Sequence, residues 1–318
     1  MLFKQIKTIR DNGVLGKWLA KVLPDASWVT YLLGARVFQR SYGLWPRVRR
    51  PRTFNEWLFA QKVTTPRSCS YAPWVDKHLA KKSVAELMEG AETPCLFTKT
   101  LHYTTSAEDP YFLSELPRCV VKGTHGSGMT ILVKEPRHLT DDERALLKQW
   151  LLADYFWGSR EPSYRHLQPG IITEEFLPCE GLVPEDYKFF CFRGEVAFIQ
   201  HDRDRYIDQR RCLYSPEWKP LTVTLKRKAY SDHAPAPKDL PSMLAIAKRL
   251  SAGQDFVRVD LYQTNEGVYF GEMTFTPGSG LQIFTPNSFD ALVYERWLKK
   301  EPPLGRWNLA EYVCPAHS

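Results

Sequence analysis

Apolar residues near the C-terminal end of the chain form two short runs, 256–263 and 268–275, on either side of the sequence TNEG. Aromatic and β-branched residues around such a turn predict a β-hairpin, and Gly267 suits the positive-φ position that ends a three-residue loop. If Thr264 then faces Val268, the pairing of every residue along the two strands is fixed. The hairpin and its register are the first structural prediction from the sequence.

The predicted register brings two carboxylates together. The expected pairs are Asp260 with Glu272, Arg258 with Thr274, and Tyr262 with Phe270. The other face is almost entirely apolar, with Val257, Val259, Leu261, Gly271, Met273 and Phe275. Facing carboxylates about 4.5–5.5 Å apart repel each other, so we expect a cation between them. These oxygens, with Thr274 beside them, suit Mg²⁺, and Arg258 on the same side could bind a phosphate oxygen. The alternative is a solvated strand face on which Asp260 pairs with Arg258.

Hydrophobic periodicity elsewhere predicts both helices and strands. Spacing near 3.6 predicts helices in TFNEWLFAQK and VDKHLAKKSVAELMEG, and at about 140–154, 241–252 and 288–299. The segment RCVVKGTHGSGMTILVK predicts strand, glycine loop and strand, GIITEEFL predicts a strand, and DYKFFCFRGEVAFIQHD predicts a hairpin that turns at Arg193-Gly194. Because these elements lack the βαβ rhythm of a doubly wound sheet, we predict an α+β chain of several lobes.

The composition indicates a folded globular protein. The chain has 318 residues, 43% of them hydrophobic, which is enough for two or three lobes. Its seven cysteines form no CxxC pair and no signal peptide is evident, so we expect reduced thiols, no zinc site and a cytoplasmic location. Charged residues interrupt the most apolar stretch, so no segment is expected to span a membrane.

Residues 1–52 concentrate the positive charge. They contain eleven Lys and Arg against two Asp, a net +9, whereas the whole chain is +7. Apolar residues interleave with these charges, which suits amphipathic helices resting on an anionic membrane surface, so the protein could be peripheral on the inner face of a membrane. The alternative is that the apolar residues pack on the main body and leave a solvated basic face. Nucleic acid is not expected as a partner, because no recognition motif is present.

A glycine-rich loop is the second candidate for chemistry. In KGTHGSGM, residues 122–129, Lys122 ends a strand and three glycines follow, so that backbone N–H groups can approach a phosphate closely. The loop matches neither the Walker A nor the dinucleotide pattern, and the alternative is a tight turn.

Three further positions favour a nucleotide site. Lys77 lies in the predicted first turn of a helix, where a cation is poorly placed for the helix dipole. Glu174 and Glu175 end a strand where the backbone could meet an adenine edge, or they are a solvated strand end. Lys188 lies between aromatic residues on a predicted strand. It could contact a phosphate or a ribose, and the alternative is a surface lysine.

The order of these segments, from PRTFNEWLFAQK to YFGEMTFTPGSG, resembles that of the ATP-grasp superfamily. Their residues are similar to those of its TupA-like branch, named for teichuronopeptide biosynthesis. The resemblance covers about residues 51–300. It implies a nucleotide held between two antiparallel sheets, with an N-terminal lobe at 53–115, a small subdomain with the glycine loop at 116–176, and a C-terminal subdomain with the metal site at 177–318. Residues 1–52 would be an extra basic helical segment.

The resemblance also implies roles for single residues. ATP would be bound by Lys77, Lys122, His125, Gly126, Ser127, Gly128, Glu174, Glu175 and Lys188, and Mg²⁺ by Asp260, Glu272 and Thr274. Arg258, Lys122 and Lys188 would act on the transferred phosphate. The loop Gly278-Ser279-Gly280 would lie near the reactive carboxylate, as in D-alanine ligases. In this branch threonine stands at 274, where the wider superfamily often has asparagine.

The implied reaction is phosphorylation of a carboxylate to an acylphosphate, which an amine then attacks. The resemblance points to a cell-envelope or capsular polysaccharide, with an amine or amino acid coupled to a uronic acid. Arg203 and Arg205 in QHDRDRYIDQRR could clamp such an anion, together with Arg210 and Arg211, or the loop could pair internally with Asp202, Asp204 and Asp208. Two other functions remain open: a kinase that phosphorylates a sugar hydroxyl, and a non-catalytic nucleotide-binding partner of a membrane glycan-synthesis complex.

Overall fold

Two antiparallel sheets organise the chain, and helices pack on them. The computed structural model describes residues 24–177, 184–203, 210–225, 229, 233–299 and 312–313. The helices are α1 Ser27–Tyr42, α2 Phe54–Thr64, α3 Ala72–Val75, α4 Leu79–Met88, α5 Asp141–Leu152, α6 Tyr155–Ser159, α7 Leu240–Ser251 and α8 Ser288–Val293. The strands are β1 Thr100–Thr104, β2 Cys119–Gly123, β3 Thr130–Val133, β4 Ile171–Glu175, β5 Asp186–Phe192, β6 Glu195–Arg203, β7 Arg210–Tyr214, β8 Thr224–Leu225, β9 Val257–Gln263, β10 Val268–Thr274 and β11 Phe284–Thr285. This mixture confirms the α+β prediction.

The larger sheet has five strands in the order β10-β9-β5-β6-β7 and is packed on both faces. Alternate residues of β5 point to opposite sides. Phe189 joins one core with residues of α4 and α7, whereas Phe190 and Phe192 join a second core with residues of α2 and α8. Lys188 shares the second face, next to the aromatic core. This face is therefore divided into an apolar half and a charged half, and the charged half forms part of the site.

The smaller sheet has four strands in the order β1-β4-β2-β3. Helix α5 packs on it, with Trp150 fully buried in a separate core. A capping box begins this helix, because Thr140 accepts from the Glu143 N–H while the Glu143 side chain accepts from the Thr140 N–H. Strands β2 and β3 form the predicted strand–loop–strand unit. The sheet thus presents the glycine loop at one end.

The β9–β10 hairpin confirms the predicted pairing where the two acids lie and departs from it nearer the turn. Asp260 faces Glu272 and Arg258 faces Thr274. Tyr262, however, faces Tyr269 and not Phe270, because a β-bulge at Gly271 shifts the register by one residue. A Cβ at Gly271 would lie 2.8 Å from the Asp260 carbonyl oxygen, so the bulge requires glycine.

The bulge also changes the two faces of the hairpin. Phe270 takes the core position that the regular register assigned to Gly271. At the turn, Gln263 faces Val268 and the Thr264 N–H donates to the Gly267 carbonyl, so the loop is one residue shorter than predicted. Gly267 does have the expected positive φ, 135°.

Two predicted helices differ in their bounds. The segment VDKHLAKKSVAELMEG does not form one helix: α3 ends at Val75 and α4 begins at Leu79, so Lys77 lies in the connection and not in a helical first turn. Asp76 accepts hydrogen bonds from the N–H groups of His78 and Leu79, which satisfies the start of α4. The last helix is α-helical only over Ser288–Val293 and continues as a π-helical turn over Tyr294–Leu298.

Helix α1 is attached to the body through a buried charged cluster. The Arg160 guanidinium donates to the Thr30 hydroxyl at 2.9–3.1 Å and lies over the rings of Phe156 and Trp157. Asp25 contacts Arg160 at 3.5 Å and Arg165 at 3.0 Å. The outer face of α1 carries exposed apolar residues, including Trp28 at 58% and Leu32 at 61% exposure. Within the part of the chain described by the structure, no helix combines the length and apolar character needed to cross a membrane.

Candidate active site

A cleft lies between the two sheets. Strands β2, β3 and β4 line one wall, strands β9 and β10 line the other, and the α3–α4 region closes one side. Three lysines reach the cleft, Lys77, Lys81 and Lys122, and its apolar lining is supplied by Val120, Met129, Leu132, Phe176, Leu177 and Phe270. An apolar slot with a few cationic groups suits a planar base joined to phosphates.

The glycine loop borders this cleft as predicted for Gly126, Ser127 and Gly128. The Lys77 ammonium donates to the Gly126 carbonyl at 2.6 Å, and burial lowers the pKa of Lys77. A Cβ at Gly126 would lie 2.8 Å from the Tyr155 ring, and Gly128 has a φ of 76°, so both positions favour glycine. The loop is therefore held by Lys77 at one wall of the cleft.

His125 has a different position from the one expected. Its ring does not line the cleft but is buried under the loop. One ring nitrogen, Nε2, lies 2.9 Å from the Trp150 carbonyl, and the Gly170 N–H donates to Nδ1 at 3.4 Å. Burial lowers the pKa of His125, which favours the neutral ring that this pair of hydrogen bonds requires. The His125 side chain supports the loop, and the prediction of a direct nucleotide contact finds no geometric support.

Glu174 is bound between two lysines. Its carboxylate accepts from Lys122 at 2.6 Å, forms an ion pair with Lys81, and accepts from the Thr98 hydroxyl at 3.0 Å. Burial by itself would raise the pKa of Glu174, but the two lysines outweigh burial and lower the pKa to about 2. The solvated strand end expected as the alternative is thus wrong for Glu174.

The neighbouring Glu175 is exposed, and its ion pair with Lys99 is 3.6 Å long. The Glu175 N–H donates to the Lys99 carbonyl within the sheet region. This backbone donor is therefore already used, and the strand continues into the cleft through Phe176 and Leu177. If an adenine edge meets the backbone here, these two residues are better placed for it than Glu174 and Glu175.

The two predicted metal-binding acids lie on the same face of the hairpin and share a guanidinium. Arg258 donates to both oxygens of Asp260 at 2.6 and 2.7 Å, and its Nη2 also donates to Glu272 at 2.9 Å and to the Thr274 hydroxyl at 3.0 Å. Lys188 donates to Asp260 at 2.8 Å. The pairing of Asp260 with Arg258 is the one named above as the alternative, but Arg258 contacts Glu272 as well. Lys188 is buried, so it is not a surface lysine.

The two acids supply oxygen donors of the kind that a magnesium ion needs, but the Arg258 guanidinium lies at the point they share. A single cationic nitrogen, Arg258 Nη2, contacts oxygens of Asp260, Glu272 and Thr274, so one point in space is within reach of all three predicted ligands. Among the described residues, no group of three or more His, Cys, Asp and Glu could hold a metal. Mg²⁺ usually takes one or two carboxylates and further ligands from a phosphate chain. The two acids match this requirement once Arg258 has left the point they share.

The loop Gly278-Ser279-Gly280 has left-handed backbone conformation at all three residues, with φ values of 56°, 61° and 69°. This conformation is uncommon for Ser279, because L-residues other than glycine rarely adopt it. The Lys62 ammonium donates to the Ser279 hydroxyl at 2.8 Å and stabilises the loop. The buried Glu161 carboxyl belongs to the same region, because Lys62 and Ser279 both act to lower its pKa.

Neither Lys62 nor Glu161 was predicted as a site residue. One signal was available for Lys62: it follows Phe54 and Leu58 at helical spacing, so a charge falls on the apolar stripe of α2. No comparable signal marks Glu161, which lies in an irregular connection between α6 and the 3₁₀ turn Pro162–Tyr164. Lys81 was also missed, although it follows Lys77 by four residues.

The structure describes only part of the arginine-rich segment 200–211. Arg203 pairs with Glu185 at 3.3 Å, and Arg205 lies outside the described residues. Arg211 donates to both oxygens of Asp202 at 2.6 and 2.9 Å in a buried pair. The internal pairing expected as the alternative is therefore present for Arg211. A role of Arg203 and Arg205 in substrate binding stays a prediction.

Two facing antiparallel sheets, with lysines on one wall and paired acids on the other, define the ATP-grasp class of nucleotide-binding folds. A sequence model of the family described as TupA-like ATP-grasp matches residues 56–297, and the chain belongs to this family. No curated protein matches the chain by sequence.

Several solved structures are similar at low identity. D-alanine–D-alanine ligase from Bacillus anthracis in complex with ATP shares 15% identity at a TM-score of 0.33, covering 63% of this chain and 53% of that chain. D-alanyl-alanine synthetase A from Vibrio cholerae shares 13% at a TM-score of 0.38, covering 66% and 57%. The ATP-grasp ligase PsnB, complexed with a precursor variant, Mg and ADP, shares 11% at a TM-score of 0.31, covering 63% and 50%. The chain spans about half the length of these proteins, and the family assignment rests on the sequence match.

Proposed function

We propose that the protein is an ATP-dependent, ADP-forming ligase that activates a carboxylate as an acylphosphate and joins it to an amine. The observation that carries this proposal is the convergence of Asp260, Glu272 and Thr274 on Arg258 at the wall of the cleft, with Lys188 donating to Asp260. The family match over residues 56–297 supports it, because ATP-grasp proteins related to this family include ligases such as those named above.

The residues of the cleft supply charge stabilisation and no covalent chemistry. Lys77 and Lys122 would bind phosphate oxygens, and the N–H groups of Ser127 and Gly128 would cover them. Arg258 would bind the transferred phosphoryl group as negative charge spreads over its oxygens, which is the main requirement of phosphoryl transfer. With Arg258 turned from the two acids to the phosphate, Asp260 and Glu272 would hold a magnesium ion, which supplies charge neutralisation at the phosphate.

The acceptor proposed here is a uronic acid of a cell-envelope or capsular polysaccharide, and the nucleophile is an amino acid or another amine. Support comes from the family's name and from the basic groups near the end of β6, where Arg203 could form a bidentate contact with a sugar carboxylate. Such a contact would require Arg203 to leave Glu185.

Turnover of a substrate panel tests this function. ADP release is measured with Mg-ATP and glucuronate, galacturonate or UDP-glucuronate, with and without amino acids, and the product is examined by mass spectrometry. We expect ADP formation that depends on both a carboxylate and an amine, with an amide as the product. Asp260→Asn and Glu272→Gln should each abolish turnover. A stable phosphate ester that forms without an amine would instead identify a kinase, and bound nucleotide with no ADP under any condition would contradict catalysis.

We also propose that the outer surface of α1 and the segment after it rests on an anionic membrane. We call this the α1 surface; its exposed apolar residues are Trp28, Leu32, Leu33, Val37, Leu44 and Trp45. Exposed arginines lie among them, Arg36, Arg40, Arg49 and Arg50. No acidic residue occurs between Asp25 and Glu56, so positive charge on this surface is not offset locally. Exposed tryptophan and leucine with arginine match the chemistry of an anionic lipid surface.

A further inference from the structure

A second charged cluster lies beyond the nucleotide cleft and is formed by three separate parts of the chain. Lys62 extends from α2, Ser279 from the left-handed loop after β10, and Glu161 from the connection after α6. The Lys62 ammonium donates to the Ser279 hydroxyl at 2.8 Å, and both Lys62 and Ser279 favour the ionised form of the buried Glu161 carboxyl. Both Lys62 and Glu161 are at most 6% exposed. Burying two ionisable groups is costly, so their presence indicates more than packing.

The cluster lies close to the predicted site of phosphoryl transfer. Arg258 contacts Asp260 and Glu272, and its positive charge also favours the ionised form of the Glu161 carboxyl. Two tyrosines connect the cluster with the glycine loop. The Tyr155 ring packs against Gly126 and lies 4.5 Å from the ring of Tyr164, whose N–H donates to the Glu161 carbonyl. The negative charge of Glu161 raises the pKa of both tyrosines. The cluster therefore lies on the same side of the site as the guanidinium and the glycine loop.

Glu161 has the acid–base properties of a proton acceptor. Burial raises the pKa of its carboxyl to about 7, although Lys62, Ser279 and Arg258 act in the opposite direction. The charged groups that face it come from α2 and β9, and the tyrosines from α6 and from its own turn. A carboxyl with a pKa near the working pH can take a proton in one step and release it in the next.

We propose that Glu161, Ser279 and Lys62 form the subsite of the amine substrate, and that Glu161 accepts a proton from the attacking nitrogen. This inference rests on the proposed ligase function. A primary amine enters as an ammonium ion, which the Glu161 carboxylate can bind. The nitrogen forms a bond to the carbonyl carbon of the acylphosphate, and the bond from that carbon to the phosphate oxygen breaks. Of the two protons that the nitrogen loses, one goes to Glu161 and the other leaves with hydrogen phosphate. Lys62, by fixing Ser279, is a positioning residue.

The test separates activation of the carboxylate from attack by the amine. Hydroxylamine is largely unprotonated at about pH 7.5 and captures acylphosphates as hydroxamates, so it needs no base from the protein. Wild type, Glu161→Gln and the exposed control Glu195→Gln are assayed with Mg-ATP and the best uronic acid of the panel, once with hydroxylamine and once with the amino acid. The glutamine keeps the size and a hydrogen-bonding group of Glu161.

We expect Glu161→Gln to lower the rate of amide formation about 100-fold more than the rate of hydroxamate formation. The wild-type rate of amide formation should rise with pH through about 7, and this rise should be absent in Glu161→Gln. Equal loss of both products would indicate a structural role and overturn the inference, as would an unchanged rate of amide formation. Absence of hydroxamate in wild type with every carboxylate would refute the ligase function itself.

Discussion

The ion cluster around Glu174 allows a quantitative prediction about stability. The perturbation is Glu174→Gln, which removes the charge and keeps the shape. The pKa of Glu174 is about 2 in the folded protein against an ordinary value of 4.5. At about 1.4 kcal/mol per pKa unit, this difference corresponds to about 3 kcal/mol of folding free energy at neutral pH. The side chain is only 4% exposed, so solvent does not screen its interaction with Lys81 and Lys122 strongly.

The sign of the effect follows from the lowered pKa. The folded state holds Glu174 ionised more strongly than the unfolded state does, so the stabilisation is fully present above pH 4.5 and is lost as the pH falls towards 2. We expect Glu174→Gln to lower the free energy of unfolding by about 3 kcal/mol at neutral pH, and the gap to wild type to narrow in acid. Urea unfolding followed by tryptophan fluorescence measures both.

Glu175→Gln is the matched control, because the residue is adjacent, lies on the same strand and carries the same charge. Its carboxylate is 49% exposed and pairs loosely with Lys99, so we expect a change within about 0.5 kcal/mol. If the two glutamine variants unfold at the same urea concentration at neutral pH, Glu174 does not stabilise the sheet through its lysines. A difference that is independent of pH down to acid conditions would also refute the electrostatic origin.

Two further variants test other parts of the structure. Gly271→Ala should destabilise the protein by about 1–3 kcal/mol, since its Cβ would lie 2.8 Å from the backbone oxygen of Asp260 and from the Tyr262 ring; a melting temperature equal to that of wild type would show that the bulge tolerates a side chain. For the α1 surface, we expect the full chain to sediment with vesicles containing phosphatidylglycerol but not with pure phosphatidylcholine, to lose binding at high salt, and to lose it in the double variant Trp28→Ser, Leu32→Ser. Equal binding of the double variant and wild type would exclude this surface.

Local sequence patterns were sufficient for most elements of the two sheets. Alternation in DYKFFCFRGEVAFIQHD predicted the β5–β6 hairpin and its turn, and the facing positions of Asp260 and Glu272 followed from register alone. The bulge was not predicted, because a period of two assumes that no residue is inserted. Gly271 within a strand was a signal for it, since glycine there often marks a bulge.

The contacts that complete the site could not be derived in this way. Glu174 meets Lys81 across two elements, and Lys62 meets Ser279 across 217 positions of sequence. Such pairs depend on how the helices pack on the sheets, and the sequence pattern of a single strand does not determine that packing. His125 illustrates the converse: its place in the glycine loop favoured a ligand contact, yet the ring turns inward to Trp150 because its backbone lies at the edge of a packed core.

The attachment of α1 has a mechanical consequence. Arg160 ties this helix to the body through Thr30 and Asp25, and the next residue along the chain is Glu161. A force on the helix would thus be transmitted to the proposed amine subsite across one peptide bond. The membrane contact and the ligase function proposed above would then be coupled, so that adsorption to a lipid bilayer changes the rate of turnover.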